Sequence, residues 1–220
     1  MIEHVYRRVE RSAAVDAVVV ATDDRRVLEA VESFGGLAVM TRANHPSGSD
    51  RVAEVAASLG CDLIVNVQGD EPLIATETIA EALAPLDADP TIPMGTLCRR
   101  LDGTDEIENP HIVKVVTDRA GFALYFSRAP IPYVRGAAGS GDARRAFKHI
   151  GLYVYRREFL LAFSRLQPTP LERAESLEQL RALEHGFRVR VVETLHDSIG
   201  VDTEADLEHV RRLTAPSLPA

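Results

Sequence analysis

Residues 62–72 read Asp-Leu-Ile-Val-Asn-Val-Gln-Gly-Asp-Glu-Pro. An apolar, β-branched run that stops at glycine, two carboxylates and proline is the pattern of a buried parallel strand. Such a strand delivers its last side chains to the edge of an open α/β sheet where ligands bind. Asp70, between Gly69 and a Glu71 held extended by Pro72, is thereby placed at the mouth of a crevice as a candidate metal ligand. A turn aspartate bonded to its own backbone leaves the same trace in the sequence. Asp202 has a similar setting: Gly200-Val201 precede it, and Thr203 with Asp206 makes a capping-box-like helix start beyond it, unless Asp202 is itself the cap. Two aspartates at the carboxyl ends of strands in one sheet can converge on Mg²⁺. That ion takes one or two carboxylates and completes its octahedron with water and phosphate oxygens.

Two further constellations have chemical content. The loop at residues 41–51, Thr-Arg-Ala-Asn-His-Pro-Ser-Gly-Ser-Asp-Arg, sets small polar Ser47, Gly48 and Ser49 at a helix start. Backbone N–H groups there suit an anion or a base edge, and Arg42 and Arg51 flank the loop. An ordinary N-cap with solvated arginines fits equally, and the spacing is not that of a P-loop. In Lys148-His149-Ile150-Gly151-Leu152-Tyr153, an extended strand puts His149, Gly151 and Tyr153 on one face with a gap between the two rings. Core or edge packing would explain them as well. Glu178-Gln179 and the Tyr125-Phe126-Ser127-Arg128 run are explained on their own by a solvated helix face and a strand end. There is no Gly-x-Ser-x-Gly elbow, no His-Glu-x-x-His pair and no Cys/His dyad, which disfavours nucleophilic and zinc hydrolases.

The positioning elements follow from periodicity. Residues 1–12 carry Ile2, Val5, Tyr6 and Val9 at helical spacing, followed by a strand at 17–22 and a helix capped by Asp23-Asp24 that ends at Gly35-Gly36. A strand at 37–40, a helix closing at Gly60, the strand at 63–68 and a helix at 76–86 come next. Strand and helix alternating over short connections imply a parallel sheet with right-handed crossovers. After Pro93 the order changes. Strands are expected at 93–99, 113–117, 122–126 and 147–155, the middle two forming a hairpin, with a glycine-rich loop or arm at 130–145. Helices at 158–165 and 171–184, strands at 189–193 and 198–201 and a helix at 203–213 complete one domain. The fold class expected is α/β, doubly wound and mostly parallel (Rossmann-like), with an inserted antiparallel hairpin lobe.

Composition limits the function. With 220 residues, 45% of them hydrophobic, the chain can bury a core without staples. A net charge of −8 argues against a broad nucleic-acid surface, so attraction for an anionic substrate must be local. Two cysteines, Cys61 and Cys98, have no metal-ligand spacing and fit a reducing cytoplasm. The apolar run near the start is too short to cross a membrane or to direct secretion.

Taken in order, the 41–51 loop, Val65-Asn66-Val67-Gln68-Gly69-Asp70-Glu71-Pro72, Tyr125-Phe126-Ser127-Arg128, His149-Ile150-Gly151-Leu152-Tyr153, Leu177-Glu178-Gln179-Leu180-Arg181 and Gly200-Val201-Asp202-Thr203 resemble the 3-deoxy-manno-octulosonate cytidylyltransferase family over nearly the whole chain. The resemblance implies a nucleotidyltransferase fold. It also implies a magnesium-dependent reaction in which the anomeric hydroxyl of an eight-carbon acid sugar attacks the α-phosphate of CTP, giving CMP-sugar and pyrophosphate for lipopolysaccharide synthesis. By matching motif, Asp70 and Asp202 would hold the metal and carry catalysis. Arg42, Ser47, Gly48 and Arg51 would lie in the cytidine-side loop, Arg51 in a supporting part. Gln68, Arg128, His149, Tyr153, Glu178 and Gln179 would face the sugar acid, His149 and Arg128 as cations toward its carboxylate. Residues 1–92 would then be the nucleotide half and 93–220 the sugar-binding and dimerisation half of a cytoplasmic homodimer, with the strand at 147–155 and the 130–145 arm as interface. The other readings are a cytidylyltransferase for another acid sugar, such as a neuraminate or an amino analogue, and a catalytically silent nucleotide-binding dimer.

One departure from the family pattern generates an expectation. Family members begin with a strand and a basic loop ending in Pro-Gly-Lys that holds the triphosphate, whereas Met1-Ile2-Glu3-His4-Val5 matches the helix after that loop. The strand lies inside the sheet, so a chain without it has unpaired edges and no phosphate cradle. The chain as printed is expected to turn over little CTP, and one extended upstream by the strand and loop to be active. Purifying both and comparing CTP consumption tests this, and equal turnover contradicts it.

Overall fold

The computed structural model describes residues 1–101, 103–135, 146–201 and 203–214. The first helix, α1 (Ile2–Glu10), buries Val5, Tyr6 and Val9, the stripe that its 3.6-residue period sets out. After β1 (Val20–Thr22), Asp24 accepts the backbone N–H of Arg26 at 2.8 Å and starts α2 (Arg25–Ser33). Gly35 then takes the left-handed conformation (φ 80°) that ends the helix and turns the chain into β2 (Ala38–Met40). Ser47 caps α3 (Gly48–Ala56), and β3 (Leu63–Val67), α4 (Thr76–Ala88) and β4 (Met94–Arg100) follow. The antiparallel hairpin is β5 (Lys114–Thr117) with β6 (Ala123–Ser127).

The chain returns through a ten-residue strand, β7 (Phe147–Arg156), on which the sheet is assembled. One edge of β7 takes β4 along most of its length. The other takes β3 at Leu152 to Arg156 and β5 at Phe147 and Lys148, all antiparallel. On the far side of β4 lies β8 (Val189–Glu193), parallel to it, while β1 and β2 form a separate parallel pair. Strands β3, β4 and β8 therefore run in one direction, with β7 against them. Alternate residues of β7 serve two cores. Ile150, Leu152 and Val154 pack with Val5 and Val9 of α1 and Ile79, Ala82 and Leu86 of α4. Tyr153 and Tyr155 pack on the other face with Ala53 and Ala56 of α3 and with Phe159, Leu160 and Phe163 of α6 (Arg157–Phe163). Helices on both faces make this the doubly wound α/β domain that the strand–helix alternation predicts. Gly95 sits where α4 comes closest, since a Cβ there would lie 2.7 Å from Leu86 Cδ1.

Four differences from the sequence reading have physical causes. The single helix expected at 171–184 is two, α7 (Pro170–Glu175) and α8 (Gln179–Glu184). Ser176 adopts φ 53° between them, and the Leu177 N–H closes back on the Glu172 carbonyl. The segment 198–201 pairs in no ladder; it is held by single bonds to the loop after β3, described below. A short α5 (Thr104–Glu108), without an apolar stripe to announce it, precedes β5. Finally, β7 has neighbours on both edges and is not a free interface strand. The final helix, α9 (Glu204–Thr214), is close to expectation. Gly136 to Arg145, most of the proposed arm, and Asp202 lie outside the described residues.

Arg181 of α8 ties the two halves together. It is 2% exposed, reaches Glu172 Oε1 at 2.5 Å and Asp50 Oδ1 of α3 at 3.4 Å, and lies over the Phe163 ring. Removing one member of a buried ion cluster strands the others without solvent. Arg181→Met is expected to lower the unfolding free energy by on the order of 3 kcal/mol. Urea denaturation followed by circular dichroism reads this directly, and an unchanged midpoint would contradict it.

Candidate functional site

At the carboxyl end of β3 the backbone turns at once, with the Glu71 N–H on the Gln68 carbonyl at 3.3 Å and the Ile74 N–H on the Glu71 carbonyl at 3.2 Å. Buried Ile74 pins the far side of this turn, so the Asp70-Glu71 pair is presented at the strand end. The segment 198–201 packs against it. The Val201 N–H donates to the Asp70 carbonyl at 2.9 Å, and the Ser198 hydroxyl donates to the Glu71 carboxylate. The glycines on both sides lie within ordinary contact distance of this turn. A Cβ on Gly200 would lie 3.6 Å from Glu71 Oε1, and one on Gly151 3.4 Å from Gln68 Cγ. The residue preceding Asp202 is thus fixed on Asp70, while Asp202 itself lies outside the described residues. Among the described residues no group of three or more His, Cys, Asp or Glu side chains is arranged to hold a metal ion.

The 41–51 loop is built on its own side chains. Ser47 Oγ donates to Asp50 Oδ2 at 2.6 Å and accepts the Asp50 N–H at 3.2 Å, which fixes the start of α3. Gly48 faces the site, since a Cβ there would be 4.0 Å from Gln68 Oε1. Arg51 is occupied in support, with Nη1 on Thr41 Oγ1 at 2.6 Å and Nη2 on Asp23 Oδ2 at 3.1 Å. Arg42 is exposed and pairs with Glu54 at 2.9 Å; that bond, with His45 on the same carboxylate, holds Glu54 below its usual range.

Ser49, the first buried residue of α3, joins this loop to the opposite half. Its hydroxyl donates to Glu178 Oε1 at 2.5 Å and lies 2.9 Å from the Tyr155 hydroxyl and 3.3 Å from Asn66 Nδ2. Burial, with Glu178 nearby, pushes the Tyr155 and Tyr153 hydroxyls well above their ordinary range, so both remain protonated donors. Beside Glu178, Gln179 is 1% exposed and its Nε2 has no partner among the described residues, a buried donor of the kind that a ligand satisfies.

The His149 and Tyr153 rings are closer than a regular strand allows. Residues four apart along a strand are separated by roughly 13 Å, yet these ring centroids stand 5.3 Å apart. The register supplies the cause. Thr96 pairs with Tyr153 while its neighbour Leu97 pairs with Ile150, so β7 carries two residues more than β4 at this point. Thr96 Oγ1 fills the resulting bulge, 2.7 Å from the Leu152 carbonyl, 3.2 Å from that of Ile150 and 2.9 Å from His149 Nε2. Burial pushes the His149 pKa down to about 3, so the ring is neutral at physiological pH and is not the cation that the family resemblance implies.

Arg128, after β6, is held on every side. Its N–H donates to Glu175 Oε2 at 2.9 Å, its Nε to the Glu175 carbonyl at 2.8 Å, and its own carbonyl accepts from Lys114 Nζ at 2.6 Å. Glu175 is buried enough to be raised, but the Arg128 N–H and the Ser127 hydroxyl outweigh this and hold it below its usual range. Lys114, fully buried, also donates to the Asn109 and Ile112 carbonyls, and burial lowers its pKa. The structure therefore joins Gln68, Gly48 and Asp70 around the end of β3, and joins Ser49 with Glu178, while Ser47 is bonded to Asp50. Sequence reasoning missed Thr96, Lys114, Tyr155 and Glu175, and named Ser49 only for its place in the loop.

Comparison with known proteins identifies the family. The cytidylyltransferase family model matches residues 1–194. A 3-deoxy-manno-octulosonate cytidylyltransferase of Geobacter metallireducens is 57% identical over 217 residues, covering 96% of this chain and 85% of that protein. One of Solibacter usitatus is 53% identical, covering 99% and 85%. A solved CMP:2-keto-3-deoxy-manno-octonic acid synthetase complexed with CTP superposes with a TM-score of 0.91 at 45% identity, over 99% of this chain and 88% of that one. A 4-diphosphocytidyl-2C-methyl-D-erythritol synthase from Anaerococcus prevotii, at 12% identity and a TM-score of 0.60, shares the fold. Two relatives more than half identical along almost the whole chain, with the motifs in place at the end of β3 and on β7, make this protein a member of the cytidylyltransferase family.

Proposed function

We propose that this protein transfers the cytidylyl group of CTP to 3-deoxy-D-manno-octulosonate, releasing pyrophosphate, as a step in making lipopolysaccharide. The observation that carries the reading is the bond from the Val201 N–H to the Asp70 carbonyl, which seats the segment leading to Asp202 on the carboxyl end of β3. Asp70 and Asp202 would hold Mg²⁺. Their all-oxygen donor set, with no thiolate or imidazole, suits a hard cation that arrives with phosphate oxygens. When bound, that ion supplies charge neutralisation for the triphosphate. The chain's own residues orient the partners: Ser47, Gly48 and Arg42 on the cytidine side, with Arg51 bracing the loop from Thr41 and Asp23. On the sugar side, Gln68, Tyr153, Glu178 and the unpaired amide of Gln179 offer hydrogen bonds, and Arg128 offers positive charge. No covalent intermediate is required, since positioning and charge do the work.

The same reading includes a homodimer, for which Leu124 of β6, 63% exposed, is available apolar surface. A cytoplasmic site of action follows from the use of CTP; no helix among the described residues is long and apolar enough to cross a membrane.

Asp70→Asn is expected to weaken Mg²⁺-dependent CTP binding by about tenfold or more while leaving metal-free binding unchanged, as read by calorimetry. Wild-type affinity in the presence of Mg²⁺ would contradict the metal role. Glu175→Ala, which removes the acceptor of the Arg128 backbone N–H and leaves the Nε bond to the residue 175 carbonyl, is expected to misplace Arg128, to weaken binding of the acid sugar by about tenfold and to leave CTP affinity alone. Equal losses for both ligands would mean that Glu175 acts on the fold and not on Arg128.

A further inference from the structure

The Thr96 hydroxyl has three polar neighbours and one proton. Two of the neighbours, the Leu152 carbonyl at 2.7 Å and the Ile150 carbonyl at 3.2 Å, can only accept. The bulge in β7 turns both toward β4, where Thr96 is fully buried and water is excluded. Its proton therefore goes to a carbonyl, and the nearer one takes it. A hydroxyl that has given its proton has only lone pairs to offer the third neighbour, so His149 Nε2, 2.9 Å away, must be the donor. The reverse arrangement would leave two buried carbonyls facing an oxygen without a proton between them.

Which ring nitrogen carries the proton decides what the other can bind. We propose that Thr96 is a positioning residue that holds His149 as the Nε2–H tautomer, so that Nδ1 accepts a hydrogen bond from a hydroxyl of the acid sugar and the carboxylate is left to Arg128. This rests on the reading above that His149 faces the sugar. Nδ1 has no hydrogen-bond partner among the described residues, and the ring is lined by the edge of Phe126 and by Tyr153. The low pKa of His149 agrees with a neutral ring. A lone pair on Nδ1 repels carboxylate oxygens and accepts from O–H, so His149 selects for a hydroxyl at its place on the sugar, and an analogue lacking that hydroxyl leaves Nδ1 unpaired.

Nitrogen NMR of the protein labelled at its 7 histidines, with the His149 signals assigned by His149→Gln, tests the tautomer without substrate. The proposal expects a neutral ring protonated at Nε2 at pH 7 in the wild type. It expects the same signature in Thr96→Ser and a mixture of tautomers in Thr96→Val. An Nδ1–H tautomer or an imidazolium in the wild type overturns the role of Thr96, whether or not the valine variant folds. Adding the acid sugar in the presence of CTP and Mg²⁺ is expected to shift Nδ1 and leave Nε2 in place. An Nδ1 that does not respond overturns the sugar contact while the tautomer assignment stands, so the two failures are told apart.

Discussion

The site depends on the buried ion cluster of Arg181, Asp50 and Glu172. Asp50 belongs to the start of α3, far in sequence from Glu172 of α7 and Arg181 of α8, which are neighbouring helices. A cluster of this kind is a poor source of net stability, because desolvation offsets most of its attraction, but it is intolerant of misplacement. Here it fixes α3 against the end of α7 and the start of α8. That geometry lets Ser49 reach Glu178 and lets Glu175 reach Arg128. The nucleotide-side loop and the sugar-side residues are therefore positioned by one shared contact.

From that contact a continuous path of packed groups crosses the site. Ser49 touches Tyr155, whose ring is followed by Tyr153 at 6.0 Å and His149 at 5.3 Å, and Thr96 closes the row from β4. The row is neutral throughout: tyrosines held protonated and a histidine held uncharged by burial. The cations named for the nucleotide and sugar sides, Arg42 and Arg128, lie outside this row. In a protein of net charge −8, this places the demand for anion neutralisation on a few side chains and on a metal that comes with its nucleotide.

Much of this was legible in the sequence because periodicity reports burial. The stripe of α1, the apolar run of β3 and its abrupt end at Asp70 all follow from local spacing, and the doubly wound class follows from strand and helix in alternation. What could not be read is non-local. The bulge in β7 is set by β4 on one edge and β3 on the other, so nothing in residues 147–156 announces that His149 and Tyr153 will be drawn together. Ser176 lacks the glycine that usually marks a left-handed helix end, so the break between α7 and α8 was hidden. Thr96 and Lys114 look like ordinary strand residues, and their roles come from carbonyls contributed by distant segments. The charge of His149 was misread for the same reason: its burial is a property of the packed sheet.

In the proposed function these two halves form one site for CTP and an eight-carbon acid sugar. Incubating the protein with CTP, Mg²⁺ and a panel of acid sugars, and identifying the nucleotide products by mass spectrometry, tests this. The account predicts CMP-3-deoxy-octulosonate and pyrophosphate in equal amounts, with neuraminate a poor substrate. Preferential formation of CMP-neuraminate, or no nucleotide sugar at all, would contradict it.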